Sequence, residues 1–103
     1  MPPVNVKIEP GTLNLKSKGQ FTAKISVPEG YNIQDWNIHN VSCEGAPAVD
    51  GKIAGDKYIA KFNRQDLKNV LPGQAVTLTV KLAFHHDVNE ALTQASDTVK
   101  VIK

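Results

Sequence analysis

The chain has 103 residues and a formal net charge of +2, and 41% of its residues are hydrophobic and 21% charged. This size and composition predict one soluble domain with a single core, and they exclude a disordered chain or a small disulfide-stapled scaffold. The 12 basic residues are scattered, so the sequence lacks the concentrated basic patch of a nucleic-acid-binding protein. No apolar run approaches the roughly 20 residues of a membrane-spanning helix, so we expect no membrane insertion.

The first quarter of the chain predicts three short strands, each with one apolar face. Apolar and polar side chains alternate over residues 4–8, and a Pro-Gly pair ends this segment. A second apolar segment covers residues 13–15, and a turn at residues 17–19 leads into a third, which alternates over residues 21–27. One face of each strand is therefore expected to lie in the core and the other in solvent.

The central part predicts a strand over residues 36–43 with a bulge or bend inside it. Trp36 and Ile38 share one face before that bend, and Val41 and Cys43 share one face after it. We expect Trp36 to fill the core between two sheets, as the strand-C tryptophan of immunoglobulin domains does. The single cysteine, Cys43, is expected to be a buried structural thiol.

The next segments predict further strands and one helical turn. Pro47, Gly51 and Gly55 predict a loop region with at most one weak strand near residues 52–54, and residues 58–62 are expected to form a strand. Asn63 is expected to cap a single helical turn near residues 64–69, because its side chain can accept from an unpaired amide of the first turn. Residues 75–84 have the longest apolar alternation and predict the longest strand. The side chains expected to tuck the helical turn under the sheet are Leu67, Val70 and Leu71.

The end of the chain predicts one more strand after an irregular segment. Residues 85–94 are interpreted as a loop or a short helical turn, and residues 96–102 as a strand with Val99 and Val101 on its inner face. About seven short strands at roughly ten-residue spacing predict an all-β fold, an immunoglobulin-like antiparallel β-sandwich.

Four pieces of the sequence carry a family resemblance: TLNLKSKG, PEGY, KFNR and LPGQAVTLTV. In this order they resemble a β-sandwich module that recurs in archaeal and bacterial cell-surface and secreted multidomain proteins. The resemblance implies an extracellular, cell-surface or periplasmic location and a non-catalytic role beside neighbouring domains of the same chain or other surface proteins. We accordingly expect residues 1–103 to be a single, monomeric domain excised from a larger protein, with close-set ends that allow such domains to be joined in series.

Two histidines next to each other, His85 and His86, suggest a transition-metal site, because imidazole nitrogens bind zinc, copper or nickel. A third ligand could come from His39, Cys43 or Asp87. Neighbouring side chains on a strand point to opposite faces, however, so the sequence favours two solvent-facing histidines and no cofactor.

Calcium is not expected either. Members of the family carry an acidic loop where this chain has only two aspartates, Asp50 and Asp56.

Other binding and catalytic sites have little support in the sequence. Tyr31 and Trp36 are the candidates for a sugar-stacking surface, but the chain has few aromatic residues with which to build one. Cys43 beside a histidine would need a lowered thiol pKa to act as a nucleophile. The carboxylates are scattered, and nothing fixes two of them at the separation of about 5–9 Å that glycoside hydrolysis uses. The carboxylates considered as acid and base are Asp35, Asp66, Asp97, Glu44 and Glu90.

The sequence therefore predicts a structural, spacer or adhesion-type module that is not an enzyme, with a carbohydrate- or metal-binding module as the alternative.

Overall fold

The chain forms two β-sheets that face each other across one apolar core, which confirms the predicted all-β sandwich. The computed structural model describes residues 4–86 and 89–103, apart from the side chains of His86 and Asn89. The nine strands of this described part are β1 (Asn5–Glu9), β2 (Thr12–Asn14), β3 (Gln20–Ser26), β4 (His39–Cys43), β5 (Ala46–Pro47), β6 (Asp50–Ala54), β7 (Lys57–Asn63), β8 (Gly73–His86) and β9 (Asn89–Ile102).

The two sheets share the chain unequally. The four-stranded sheet has the order β1-β3-β7-β6, and the five-stranded sheet has the order β2-β9-β8-β4-β5. All of these strand pairs are antiparallel except β2 with β9, which is parallel. Only Pro10 and Gly11 separate β1 from β2. The chain therefore crosses from one sheet to the other within its first 14 residues, between two strands that continue in the same direction.

Alternating side chains from both sheets build the core. Phe21 and Phe62 stack with ring centroids 5.2 Å apart inside the four-stranded sheet, and Trp36 stacks on Phe84 at 4.5 Å beside the other sheet. Each fully buried side chain of this size contributes about 1.5–3 kcal/mol by leaving water. The largest fully buried side chains are Trp36, Phe21, Phe62, Ile8, Leu13, Ile25, Leu78, Leu82, Val80, Val101 and Cys43.

The segment that follows β8 differs from the prediction. Instead of a loop or helical turn over residues 85–94, the chain makes a long hairpin, and β9 already begins at Asn89. The inward-facing side chains here include Ala91 and Thr93, which are small or polar, whereas Leu92 faces outward and is 74% exposed. This segment therefore lacks the apolar alternation that predicts a strand. It forms a strand because it pairs with β8. The hairpin lengthens two predicted strands, whereas the two-residue β5 is a strand that the sequence did not predict.

Two 3-10 turns, Ile33–Asp35 and Arg64–Asp66, are the helical elements of the described residues. The second confirms a helical turn near residues 64–69 but is shorter. Asn63 makes no side-chain capping bond, because its Oδ1 atom accepts instead from Gln20 Nε2 at 3.4 Å. Leu71 is 76% exposed, so it does not tuck under the sheet as expected. Within residues 4–86 and 89–103 no helix is long and apolar enough to cross a membrane.

Candidate functional site

Three titratable side chains from neighbouring strands meet on the outer face of the five-stranded sheet. They are His39 on β4, His85 on β8 and Glu90 on β9, and one ligand atom from each lies within 4.8 Å of the others. We refer to them as the His-His-Glu cluster. The cluster lies near the end of the β8–β9 hairpin, and its two histidine side chains are half-buried.

A β-bulge places His39 on this face. His39 pairs with Ala83 while Ser42 pairs with Lys81, so β4 carries one more residue than β8 between these pairs. Asn40, inside the bulge, has a φ of 52°. Cys43 is buried in the core, and unbroken alternation from it would turn His39 toward the core as well. The extra residue reverses the phase and turns His39 outward, as bulges commonly do near functional sites.

The hairpin supplies the other two members. His85 and Glu90 are directly opposite each other in the β8–β9 register. The carboxylate of Glu90 extends over β8 to reach His39 on the far side. Ala83 lies on this outer face and pairs with His39, yet it is only 2% exposed. Its small side chain leaves space for Glu90 and His39 to meet above β8.

His39 is bonded through both ring nitrogens. Its Nε2 atom lies 2.7 Å from Glu90 Oε1, and its Nδ1 atom lies 2.9 Å from the carbonyl oxygen of Asn37. Since a carboxylate and a carbonyl can only accept, both contacts are hydrogen bonds when the ring is an imidazolium, and they favour that form. These two bonds raise the pKa of His39 above its usual value of 6.5, the Asn37 carbonyl more than the Glu90 carboxylate.

His85 is held by its backbone and by the neighbouring ring. Its amide donates to the Trp36 carbonyl at 2.9 Å, and its imidazole stacks on His39 with centroids 4.9 Å apart and planes 17° apart. Its Nδ1 atom is 3.5 Å from the side-chain amide nitrogen of Asn37, a long contact. Asn37, which has a φ of 46°, contacts both imidazoles, one through its carbonyl and one through its side chain.

The sequence-based candidates are only partly brought together. His39 and His85 meet, but the side chain of His86 lies outside the described residues. Cys43 is buried on the core side of β4, and burial, followed by the nearby Glu44 carboxylate, raises the pKa of its thiol to about 12. Cys43 is therefore a structural thiol, as predicted, and has none of the thiolate character that a nucleophile needs.

Glu44 and Glu90 do not form a catalytic pair. Glu44 accepts a hydrogen bond from the Thr79 amide at 2.8 Å, whereas Glu90 contacts His39 near the opposite end of β4. The two aspartates considered for calcium are also apart. Asp50 begins β6, and Asp56 lies in the turn after it, 3.5 Å from the Lys57 ammonium group.

The aromatic candidates for sugar stacking do not share a surface. Trp36 is 1% exposed, so its indole offers no face to a sugar, and that candidate is wrong. It fills the core as predicted, but from the end of a 3-10 turn and not from a strand. Tyr31 is 49% exposed and packs edge-on against Trp36, with centroids 6.3 Å apart. All six aromatic residues belong to the described part of the chain, and Tyr31 alone among them is exposed.

Sequence reasoning missed the pairing of Glu90 with the histidines. Glu90 was considered only as a catalytic partner of Glu44, because residues 85–94 were interpreted as a loop or a helical turn. A hairpin interpretation of the same residues would have placed His85 opposite Glu90 across a two-residue connection. The signal available was the symmetric spacing of these two residues about residues 87–88.

Comparisons with known proteins assign no family to the chain. No family model matches, and no curated protein matches. The crystal structure of the major pilin subunit of Bacillus cereus is similar over 99% of this chain and 40% of the pilin chain, with 16% identity and a TM-score of 0.40. The chain thus spans well under half of that protein. The resemblance to a microbial surface module stays a prediction.

Proposed function

We propose that this chain is a non-catalytic spacer or adhesion-type module of a secreted or cell-surface protein. The observation that carries the proposal is the direction of β2 relative to the last strand, β9. These two strands run parallel and are hydrogen-bonded to each other, and β1 leads into β2 in the same direction, so the chain enters the sandwich at one end and leaves it at the other. A module built in this way extends a protein along its own long axis.

The register gives the size of this separation. Asn14 is opposite Ile102, and the chain runs in the same direction as β9 from Asn5 onward. At about 3.3 Å per residue, the nine steps from Asn5 to Asn14 cover about 30 Å. The longest dimension of the domain is 43 Å. The ends are therefore well separated, which corrects the expectation of close-set ends and suits an array of domains in series.

The same pairing would resist a pulling force. Tension between the two ends acts along β2 and β9, so their hydrogen bonds are loaded together and not one after another. These bonds include Leu15 N to Ile102 O at 2.9 Å and Lys100 N to Gly11 O at 3.0 Å. A further bond joins the two sheets, from the Ile8 amide to Asp97 Oδ2 at 2.8 Å, and its charged acceptor strengthens it.

The location and the partners rest on the sequence resemblance described above. It supports a secreted or surface protein in which neighbouring domains, or other surface proteins, are the partners. Labelling of intact source cells with an antibody against the domain tests this location. Labelling only after the cells are broken would contradict it.

Single-molecule stretching of several copies joined end to end tests the mechanical role. We expect each copy to unfold in a discrete force peak. We expect the Asp97→Ala variant to unfold at lower force, because the Ile8 amide loses its acceptor. Asp56→Ala is the matched control, since this exposed carboxylate lies in the β6–β7 turn and away from β9. Unfolding of Asp97→Ala at the wild-type force, or unfolding of the wild type without a resolved peak, would overturn the proposal.

A further inference from the structure

We propose that the His-His-Glu cluster binds one divalent transition-metal ion, with His39, His85 and Glu90 as its protein ligands and Zn²⁺ as the probe. Two imidazoles and one carboxylate, from three paired strands, face the same point above the sheet. This site differs from the one that the adjacent histidines suggest in the sequence, because it joins residues that are far apart in the chain.

The donor set suits zinc, copper or nickel better than calcium or magnesium. Imidazole nitrogen is a ligand of intermediate softness, and the hard cations prefer sites made of oxygen alone. Zinc is commonly held by three protein ligands with a fourth position left for water. The cluster offers three ligands at a partly exposed position, so solvent can supply the fourth.

The distances require only side-chain adjustment. Four-coordinate zinc holds its ligand atoms at about 2.0–2.2 Å, which puts them about 3.4 Å from one another. The His39–Glu90 contact of 2.7 Å has to open, and the longest separation of the set, at most 4.8 Å, has to close. His85 is two residues along β8 from Ala83, the partner of His39, and such diagonal neighbours are within reach of long side chains. The paired backbones can therefore stay in place.

The surroundings orient His39 for this role. Its Nδ1–H donates to the Asn37 carbonyl, which leaves Nε2 as the ligand atom. Metal-binding histidines typically donate their other ring N–H to a carbonyl or carboxylate in this way. When His39 is an imidazolium, its Nε2–H proton lies between the ring and Glu90 Oε1. The ion would take its place, and that proton would be released to solvent.

His85 can also be supported by Asn37. The Asn37 side-chain amide lies 3.5 Å from His85 Nδ1, and exchanging the positions of its nitrogen and oxygen would present an acceptor to an Nδ1–H group. In that arrangement Asn37 orients both imidazoles, one through its backbone and one through its side chain. Asn37 is thus a positioning residue and not a ligand.

Calorimetric titration of the untagged, chelator-treated chain with Zn²⁺ near neutral pH tests the proposal. We expect one ion per chain, and no binding of Mg²⁺. His39→Ala and His85→Ala should each weaken zinc binding by at least about tenfold, as even loss of an outer partner commonly does at metal sites. Glu90→Gln should weaken it as well. Glu29→Gln is the matched control, because Glu29 is an exposed carboxylate in another loop.

A measurement on the unmodified chain covers the case in which a variant fails to fold. Imidazole resonances of His39 and His85 should shift together and saturate at one equivalent of Zn²⁺. The proposal is overturned if no saturable binding occurs, if His39→Ala binds as tightly as the wild type, or if only His86→Ala loses binding. Each of these outcomes would leave the mechanical role untouched, because that role depends on β2, β9 and Asp97.

Discussion

The four-stranded sheet and the outer face of the five-stranded sheet follow different rules. Buried and more exposed residues alternate along the whole of β3 and from Ile59 onward in β7, and every residue from Gln20 to Ser26 pairs in one register with Asn63 to Lys57. On the outer face near His39, the register slips, a residue has positive φ, and polar side chains contact one another. Regular alternation thus specifies the core, whereas the His-His-Glu cluster lies beside the bulge that interrupts the alternation in β4.

The largest expected effect on stability comes from a core substitution in the regular four-stranded sheet. Phe62→Ala removes a fully buried ring that stacks on Phe21, and it should lower the free energy of unfolding by about 3–5 kcal/mol. Denaturant unfolding followed by circular dichroism measures the loss. Tyr31→Ala is the comparison variant, because this ring is half exposed and its removal should cost much less. Equal losses in the two variants would contradict the assignment of the core.

An intermediate effect is expected at the bulge. Asn40→Val places a β-branched side chain at a φ of 52°, where such residues are strained, and should cost about 1–3 kcal/mol of unfolding free energy. Asn40→Gly is the matched control and should be at least as stable as the wild type, because glycine adopts positive φ without strain. Thermal unfolding of both variants checks this expectation. A valine variant as stable as the glycine variant would show that the bulge does not need this backbone conformation.

The smallest effect concerns the proton on His39. Its pKa in the folded chain lies above 6.5, so its bonds stabilise the fold fully below that pH and lose this effect as the pH rises through the folded-state pKa. Glu90→Gln should lower the pKa of His39 part of the way, since the Asn37 carbonyl contributes more than Glu90 does. It should also lower the melting temperature at mildly acidic pH but not at alkaline pH.

Nuclear magnetic resonance titration of the His39 ring in metal-free protein gives the pKa directly. Glu29→Gln serves as the control for the loss of one negative charge elsewhere on the surface. A His39 pKa that is unchanged by Glu90→Gln would mean that the 2.7 Å contact does not persist in solution.

Most of the fold follows from local patterns that can be recognised without coordinates. Alternation identified residues 21–27, 58–62 and 75–84, because a strand with one face buried requires apolar side chains at every second residue. The start of β9 could not be identified in this way, because its inward side chains near the hairpin are alanine and threonine. Pairing with β8 provides its stability, and hydrogen bonding between distant segments leaves little trace in a local pattern.

The candidate site was harder to predict from the sequence, because it too depends on pairing between distant segments. His39 and His85 were recognised as possible ligands from their chemistry alone. Their meeting depends on a one-residue slip in β4 and on the carboxylate of a residue 51 positions from His39. The bulge itself was predicted, from the change of face between Ile38 and Val41. Its consequence for His39 required the β4–β8 register, which the sequence does not specify.

The extra residue in β4 has a consequence for how this domain can change. The bulge at Asn40 separates two functions of β4. Val41 and Cys43 on one side of it pack in the core, whereas His39 on the other side faces outward. Substitutions at position 39 can therefore alter what the surface binds while leaving the interior packing intact. A protein engineer could use the same position to install or remove ligands in successive copies of the domain without redesigning the fold.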